Sequence, residues 1–284
     1  MVTPFDANGA VDCARAAEIA RFLLANGTET LIVNGTTGES PTTTTEEKLR
    51  LVNTVAEAVG AGRVMAGVGG NCTAAVADLA RQSQEAGATS LLAVAPYYNK
   101  PSQEGLYRHF RVVADATPLP LVLYNVPGRT ITNIEPTTTA RLARDAQTIV
   151  GTKEASANLA QVGEILRTTP GTFDVYSGDD ATYLPTLALG GAGVISVVSH
   201  LIGPDLARLN HAWFAGEQEA AATIFLKMLP LIRAIFSAPS PAPLKSAMKA
   251  LGNPSGGVRL PLVDLDGAEE QVVYDALLRY GFQI

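Results

Sequence analysis

Seven short runs of apolar, largely β-branched residues recur along the chain with helix-like stretches between them. They occupy 30–34, 63–68, 90–95, 120–125, 148–153, 173–177 and 193–198. Each is near-continuously apolar rather than alternating, the pattern of parallel strands covered on both faces. Their spacing, roughly 20–35 residues, is that of one βα unit. Residues 1–3 read as an eighth strand, ahead of a first helix near 11–25. Helix punctuation falls between the runs: Asn26-Gly27 after 14–25, Gly87 after 74–86, and a capping-box spacing from Thr44 to Glu47 before 48–59. Eight strands alternating with helices favour an α/β class chain, a closed (β/α)8 TIM barrel, over the competing open doubly wound sheet.

After Val198 the strand signal stops. The stretches 204–215, 217–236, 243–251 and 268–280 read as helices, with a Pro-rich break at 237–243. The first closes the barrel. The expected division is therefore a (β/α)8 barrel over 1–215, its first strand cut short, and an appended C-terminal helical region over 216–284.

Composition narrows the partners. Only 17% of the 284 residues are charged, below the usual quarter, which fits a chain that buries much surface, some of it between subunits. The net charge of −6 and the lack of a basic stripe argue against nucleic acid. No 18-residue uncharged apolar run exists to span a membrane. The first ten residues have neither a basic nor an apolar signal region, and Cys13 and Cys72 read as reduced thiols, so the expected location is cytoplasmic.

In a barrel the reactive groups lie at the carboxyl ends of the strands. There the sequence places Asn34–Ser40, Gly69–Asn71, Pro96–Ser102, Tyr124–Arg129, Lys153-Glu154 and Ser177–Asp180, six successive polar, Gly-rich or Pro-rich segments. Lys153 ends an apolar run. Held among apolar neighbours it is a candidate nucleophilic amine, because desolvation disfavours the ammonium form; the other reading is an ion pair with Glu154. Tyr124, one strand earlier at a similar height, is a candidate proton carrier or a barrel-lining aromatic. Arg129, after a Pro-Gly turn, suits a two-pronged grip on a carboxylate or a surface ion pair. Tyr97-Tyr98 reads as a buried pair, a subunit contact or a catalytic group.

The Gly35–Ser40 stretch, GTTGES, is an anion cradle or a plain turn feeding the Thr44 cap, and lacks the Gly-Lys-Ser/Thr of a phosphate loop. Gly67–Gly70 fails the dinucleotide fingerprint, since Cys72 stands where the third glycine belongs. His109, His200 and His211 have no ligand-like spacing. Asp179-Asp180 reads as a loop pair or helix cap ahead of a carboxylate magnesium site. With no metal or cofactor motif evident, a carbon–carbon lyase on this scaffold needs a covalent electron sink, which a lysine imine supplies.

In order, Thr3–Asp6, Gly35–Ser40, Pro96–Gly105, Tyr124–Thr130, Lys153–Ala155, Ser177–Asp180 and Gly193–Val197 resemble the motifs of the dihydrodipicolinate synthase (4-hydroxy-tetrahydrodipicolinate synthase) family. That family belongs to the pyruvate-dependent class I lyases, which include N-acetylneuraminate lyase. The resemblance runs from Val2 to about Leu262 and implies the following roles. Lys153 forms an imine with pyruvate. Tyr124, Thr36 and Tyr98 relay protons, Tyr98 reaching into a neighbouring subunit's site. Thr37 and the backbone at Ile195 hold pyruvate, Arg129 binds the carboxylate of L-aspartate-4-semialdehyde, and Gly178 lines the pocket. The family is metal-free, cytoplasmic and usually a homotetramer, a dimer of dimers, serving lysine and diaminopimelate synthesis.

Two departures stand out. Family members carry several residues before the Thr-Pro-x-Asp motif, whereas this sequence starts inside the first strand; the expectation is a start site assigned downstream or a shortened chain. At the lysine effector site known in part of the family, Asn71 and Tyr97 match, but Ala75 replaces a glutamate and Thr45 and Lys48 replace histidines. Weak or absent lysine inhibition is expected. The competing functions are a sialic acid or keto-deoxy sugar acid lyase of the same superfamily, and a non-catalytic metabolite-binding barrel.

Overall fold

The computed structural model describes residues 1–60 and 62–284. Its residues fall into two compact units, one of 1–63 with 197–284 and one of 64–196. The chain begins in the first unit with helix α1 (Cys13–Ala25), strand β1 (Leu31–Val33) and helix α2 (Thr45–Val59). Asp12 caps α1 through the Arg15 N–H, and Thr44 and Glu47 form the expected capping box on α2.

The second unit alternates strands and helices: β2 (Val64–Gly67), α3 (Thr73–Glu85), β3 (Ser90–Val94), α4 (Gln103–Asp115), β4 (Leu121–Asn125), the single turn α5 (Pro127–Thr130), α6 (Pro136–Asp145), β5 (Ile149–Glu154), α7 (Leu159–Thr168), β6 (Asp174–Ser177), α8 (Tyr183–Ala188) and β7 (Gly193–Val194). The strands β2 to β7 pair in parallel, each with the next. From β2 to β7 the sheet runs in chain order, without the reversal that marks a doubly wound sheet. The apolar runs read as covered strands because they are: every residue of β4 is buried, and Leu91, Leu121 and Leu123 expose nothing. At the end of β2, a side chain on Gly69 would put its Cβ 2.3 Å from the Val94 backbone nitrogen, so the GVGG turn serves close strand packing rather than a dinucleotide.

The first unit resumes with α9 (Ser199–Phe214), and the C-terminal helical region follows as α10 (Gln218–Ile235), α11 (Ala242–Ala250) and α12 (Gly267–Tyr280). No helix among the described residues is long and apolar enough to cross a membrane.

Three expectations are corrected. Residues 1–3 are not a strand. The Met1 ammonium donates to the Ile32 carbonyl of β1, and the Val2 N–H, on the opposite side of the chain, donates at 3.1 Å to a side chain, His200 Nε2, rather than to a neighbouring strand. The run at 193–198 is strand only at Gly193-Val194, since the Leu201 and Ile202 N–H groups draw the Val198 carbonyl into the first turn of α9. That helix begins at Ser199 rather than Pro204; the proline follows a kink at Ile202 and so looked like a helix start.

Candidate functional site at the strand ends

The alternation of side chains along β5 separates Lys153 from Glu154. Glu154 meets the α7 side chain Gln161, on the helix-covered face. Lys153 turns the other way. It pairs in register with Tyr124 of β4, and its Nζ lies 4.4 Å from the centre of the Tyr124 ring. Both are buried, Lys153 at 9% exposure and Tyr124 at 6%. Among the described residues Lys153 has no ion pair, which removes the reading of a salt bridge to Glu154.

Gly178, at the end of β6, is required by the lysine. A Cβ there would sit 2.9 Å from Lys153 Cγ, 3.0 Å from its Cε and 2.6 Å from Ala155 Cβ. Its N–H donates to the Glu154 carbonyl at 2.7 Å, extending the ladder past the strand. Beside it, the Ile195 N–H donates to the Ser177 carbonyl at 2.9 Å, which leaves the Ile195 carbonyl as the backbone group it has to offer. Lys153, Tyr124, Gly178 and Ile195 are thus brought together at the carboxyl ends of β4 to β7.

Arg129 sits on α5, just beyond β4, exposed and without an ion pair among the described residues. Tyr98, after β3, is 89% exposed with φ of +72°, a left-handed conformation uncommon for an aromatic residue. Asn99 pins that loop through Nδ2 to the Asn71 carbonyl at 2.9 Å. Tyr97-Tyr98 is therefore not a buried pair.

Thr36 and Thr37 lie in the first unit, half-buried in the turn after β1. The Gly38 and Glu39 N–H groups are taken by the Gly35 and Thr36 carbonyls, each at 3.0 Å, so these two donors close the turn and are not offered to an anion. What fixes it went unnoticed in the sequence. The buried Glu39 carboxylate pairs with Lys245 Nζ at 2.8 Å and accepts the Arg259 N–H at 2.9 Å. Lys245 also donates to the Gly257 carbonyl at 2.7 Å.

A second arrangement missed by sequence reasoning lies behind the lysine. Asn125 Nδ2 donates to both Glu154 oxygens, at 3.2 and 3.0 Å, and to Asn133 Oδ1 at 2.8 Å. Gln161 Nε2 donates to Glu154 Oε2 and to Asn133 Oδ1, each at 3.1 Å, and the Ser156 N–H reaches Glu154 Oε1 at 2.8 Å. Strand period was the available signal: residues next to Tyr124 and Lys153 must face away from them, together.

Other candidates resolve as scaffold. Asp179 caps a short turn through the Ala181 N–H. His109 bonds Thr73 Oγ1 at 2.9 Å, and His200 bonds the Val197 carbonyl at 2.8 Å. Among the described residues no His, Cys, Asp or Glu cluster could hold a metal.

Parallel strands in chain order, with a buried lysine and tyrosine on one rung at their carboxyl ends, define the class: an α/β barrel with a lysine-centred site. The model of the dihydrodipicolinate synthetase family matches residues 1–279, and the chain belongs to that family. It is 50% identical over 282 residues to the 4-hydroxy-tetrahydrodipicolinate synthase of Symbiobacterium thermophilum, covering 99% of this chain and 96% of that one. The corresponding enzyme of Bacillus subtilis is 48% identical over 266 residues, 93% of this chain and 92% of the other. The crystal structure of the synthase from Cyanidioschyzon merolae with lysine bound superimposes with a TM-score of 0.96 at 44% identity, over 99% of this chain and 96% of that one. The fold is accordingly the TIM barrel with a C-terminal helical region.

Proposed function

We propose that this chain is a carbon–carbon condensing lyase that joins pyruvate to L-aspartate-4-semialdehyde, giving 4-hydroxy-tetrahydrodipicolinate in lysine and diaminopimelate synthesis. The observation that carries this reading is Lys153 buried against Tyr124, within a chain similar to these synthases over nearly its whole length.

Lys153 Nζ attacks the pyruvate keto carbon and water leaves, forming an iminium. Loss of a methyl proton gives the enamine, whose carbon adds to the aldehyde. The amino group of the second substrate then displaces the lysine and closes the ring. Tyr124, Thr36 and Tyr98 relay the protons of these steps. Thr37 and the backbone at Ile195 hold pyruvate, the Thr37 hydroxyl donating to its carboxylate, and Gly178 leaves room for the lysine stem. Arg129, exposed and without an ion pair among the described residues, receives the carboxylate of the semialdehyde.

Tyr98 supports an assembly of several subunits: an exposed aromatic in a left-handed conformation has no use within its own protomer. The reading is a cytoplasmic homotetramer in which Tyr98 completes a partner's site. Hybrid assemblies of Lys153→Ala and Tyr98→Phe chains, each inactive alone, should then recover activity on mixing; no recovery would place Tyr98 outside the partner's site. Ala75, Thr45 and Lys48 stand where the lysine-sensitive members carry a glutamate and histidines, so lysine is expected to inhibit weakly. Strong inhibition below about millimolar lysine would contradict this.

The direct test is turnover of pyruvate with L-aspartate-4-semialdehyde, run beside cleavage of N-acetylneuraminate and a keto-deoxy sugar acid. Preference for a sugar acid would assign the chain to another branch of the superfamily.

A further inference from the structure

We infer that the buried Asn125–Glu154–Asn133–Gln161 network positions the reacting pair, and that Glu154 and Asn125 are positioning residues for the lysine chemistry. The inference rests on the reading of Lys153 as the imine-forming residue.

Strand register sets the network behind the reacting pair. Tyr124 pairs with Lys153, and on the next rung Asn125 pairs with Glu154. Successive residues face opposite sides of a strand, so the rung behind the reacting pair carries an amide hydrogen-bonded to a carboxylate. Glu154 is 3% exposed and Asn125 1%. Among the described residues Glu154 has no cationic partner; its two oxygens take N–H bonds from Asn125, Gln161 and Ser156. A buried carboxylate held by amides alone is an expensive way to join two strands that already share a ladder. Replacing it with apolar residues would hold the strands as well but would not fix their angular setting.

The network's other members tie further parts of the site to the same rung. Asn125 Oδ1 accepts the Ile134 N–H at 2.9 Å, and Asn133 exchanges bonds with Gln161, donating at 3.0 Å and accepting at 3.1 Å. Asn133 and Ile134 end the segment that carries Arg129. Three segments, bearing Tyr124, Arg129 and Lys153, therefore meet in one network. The polarity at the carboxylate is fixed: Asn125, Gln161 and Ser156 all donate to Glu154, and its two oxygens can only accept while ionised.

Polarity provides the test. Glu154→Gln keeps the shape but places an NH2 against the donors of Asn125 and Gln161. Asn125→Asp keeps the shape but sets two carboxylates together. The double variant, carrying both substitutions, reverses the bond: the introduced amide donates to the introduced carboxylate, which restores complementarity. The rate at which borohydride traps pyruvate on Lys153, kcat, and the KM for pyruvate are measured with the melting temperature of each chain. Positioning predicts that each single variant slows trapping and kcat about tenfold or more while it remains folded, with KM changed less than kcat, and that the double variant recovers most of the loss. If a single variant is unfolded, Gln161→Ala at its half-exposed position decides, with a several-fold slower kcat expected. Wild-type trapping rates in folded single variants, or in Gln161→Ala, would overturn the inference and leave Lys153 in place. No trapping on the unsubstituted chain would overturn the reading of Lys153 and this inference together.

Discussion

Lys153 illustrates how little one residue says alone. Its sequence neighbour Glu154 made an ion pair the simplest account, yet a strand sends adjacent side chains to opposite faces, and the carboxylate is engaged by Asn125 and Gln161 instead. Tyr124 was legible because the ends of successive parallel strands share a height. Gly178 was legible only as part of a motif; its physical reason, the lysine stem 2.9 Å from where a Cβ would stand, needs coordinates. Gly178→Ala should therefore displace Lys153 rather than merely crowd the pocket. Overpacking of about 1–3 kcal/mol is expected, with kcat lowered at least about tenfold as the amine moves off line. Melting temperature and steady-state kinetics on one preparation check this; unchanged kcat would show that the lysine tolerates the methyl group.

At the scale of elements, the strands were readable because burial on both faces leaves a continuous apolar run, and the helices because caps such as Thr44 and Glu47 mark their starts. The failures share a cause. Residues 193–198 and 1–3 have strand-like composition, but other partners claimed their backbone: the adjoining first turn of α9 in one case, the distant His200 ring in the other. The GTTGES turn was visible as a turn, while its anchor at Lys245, far along the chain, left no local signal. Glu39 and Lys245 are buried at 2% and 3% exposure, so removing one charge strands the other. Lys245→Met should lower stability by about 3–5 kcal/mol. Chemical denaturation would measure it, and a loss below about 1 kcal/mol would mean that the turn relaxes to solvate Glu39.

For the whole molecule, the two buried histidines set a pH dependence. Burial holds His109 at about 4, and burial together with the nearby N-terminal ammonium holds His200 at about 3, against an ordinary 6.5. Both stay neutral in the folded chain while the unfolded chain takes up protons below 6.5, so stability is full above that pH and falls as pH drops toward 4. The slope is about 1.4 kcal/mol per pH unit for each histidine fully protonated only when unfolded. Denaturation at about pH 7, 6 and 5 should show this loss, and His109→Asn should remove about half of it; a flat profile would mean that the histidines protonate without unfolding.

Every other proposed assignment depends on Lys153 as the imine-forming residue. Incubating the purified chain with pyruvate and sodium borohydride, then locating the adduct by peptide mass spectrometry, tests it most directly. A reduced pyruvate adduct on Lys153, absent from Lys153→Ala, is the predicted result. An adduct on any other lysine, or none at all, would contradict it.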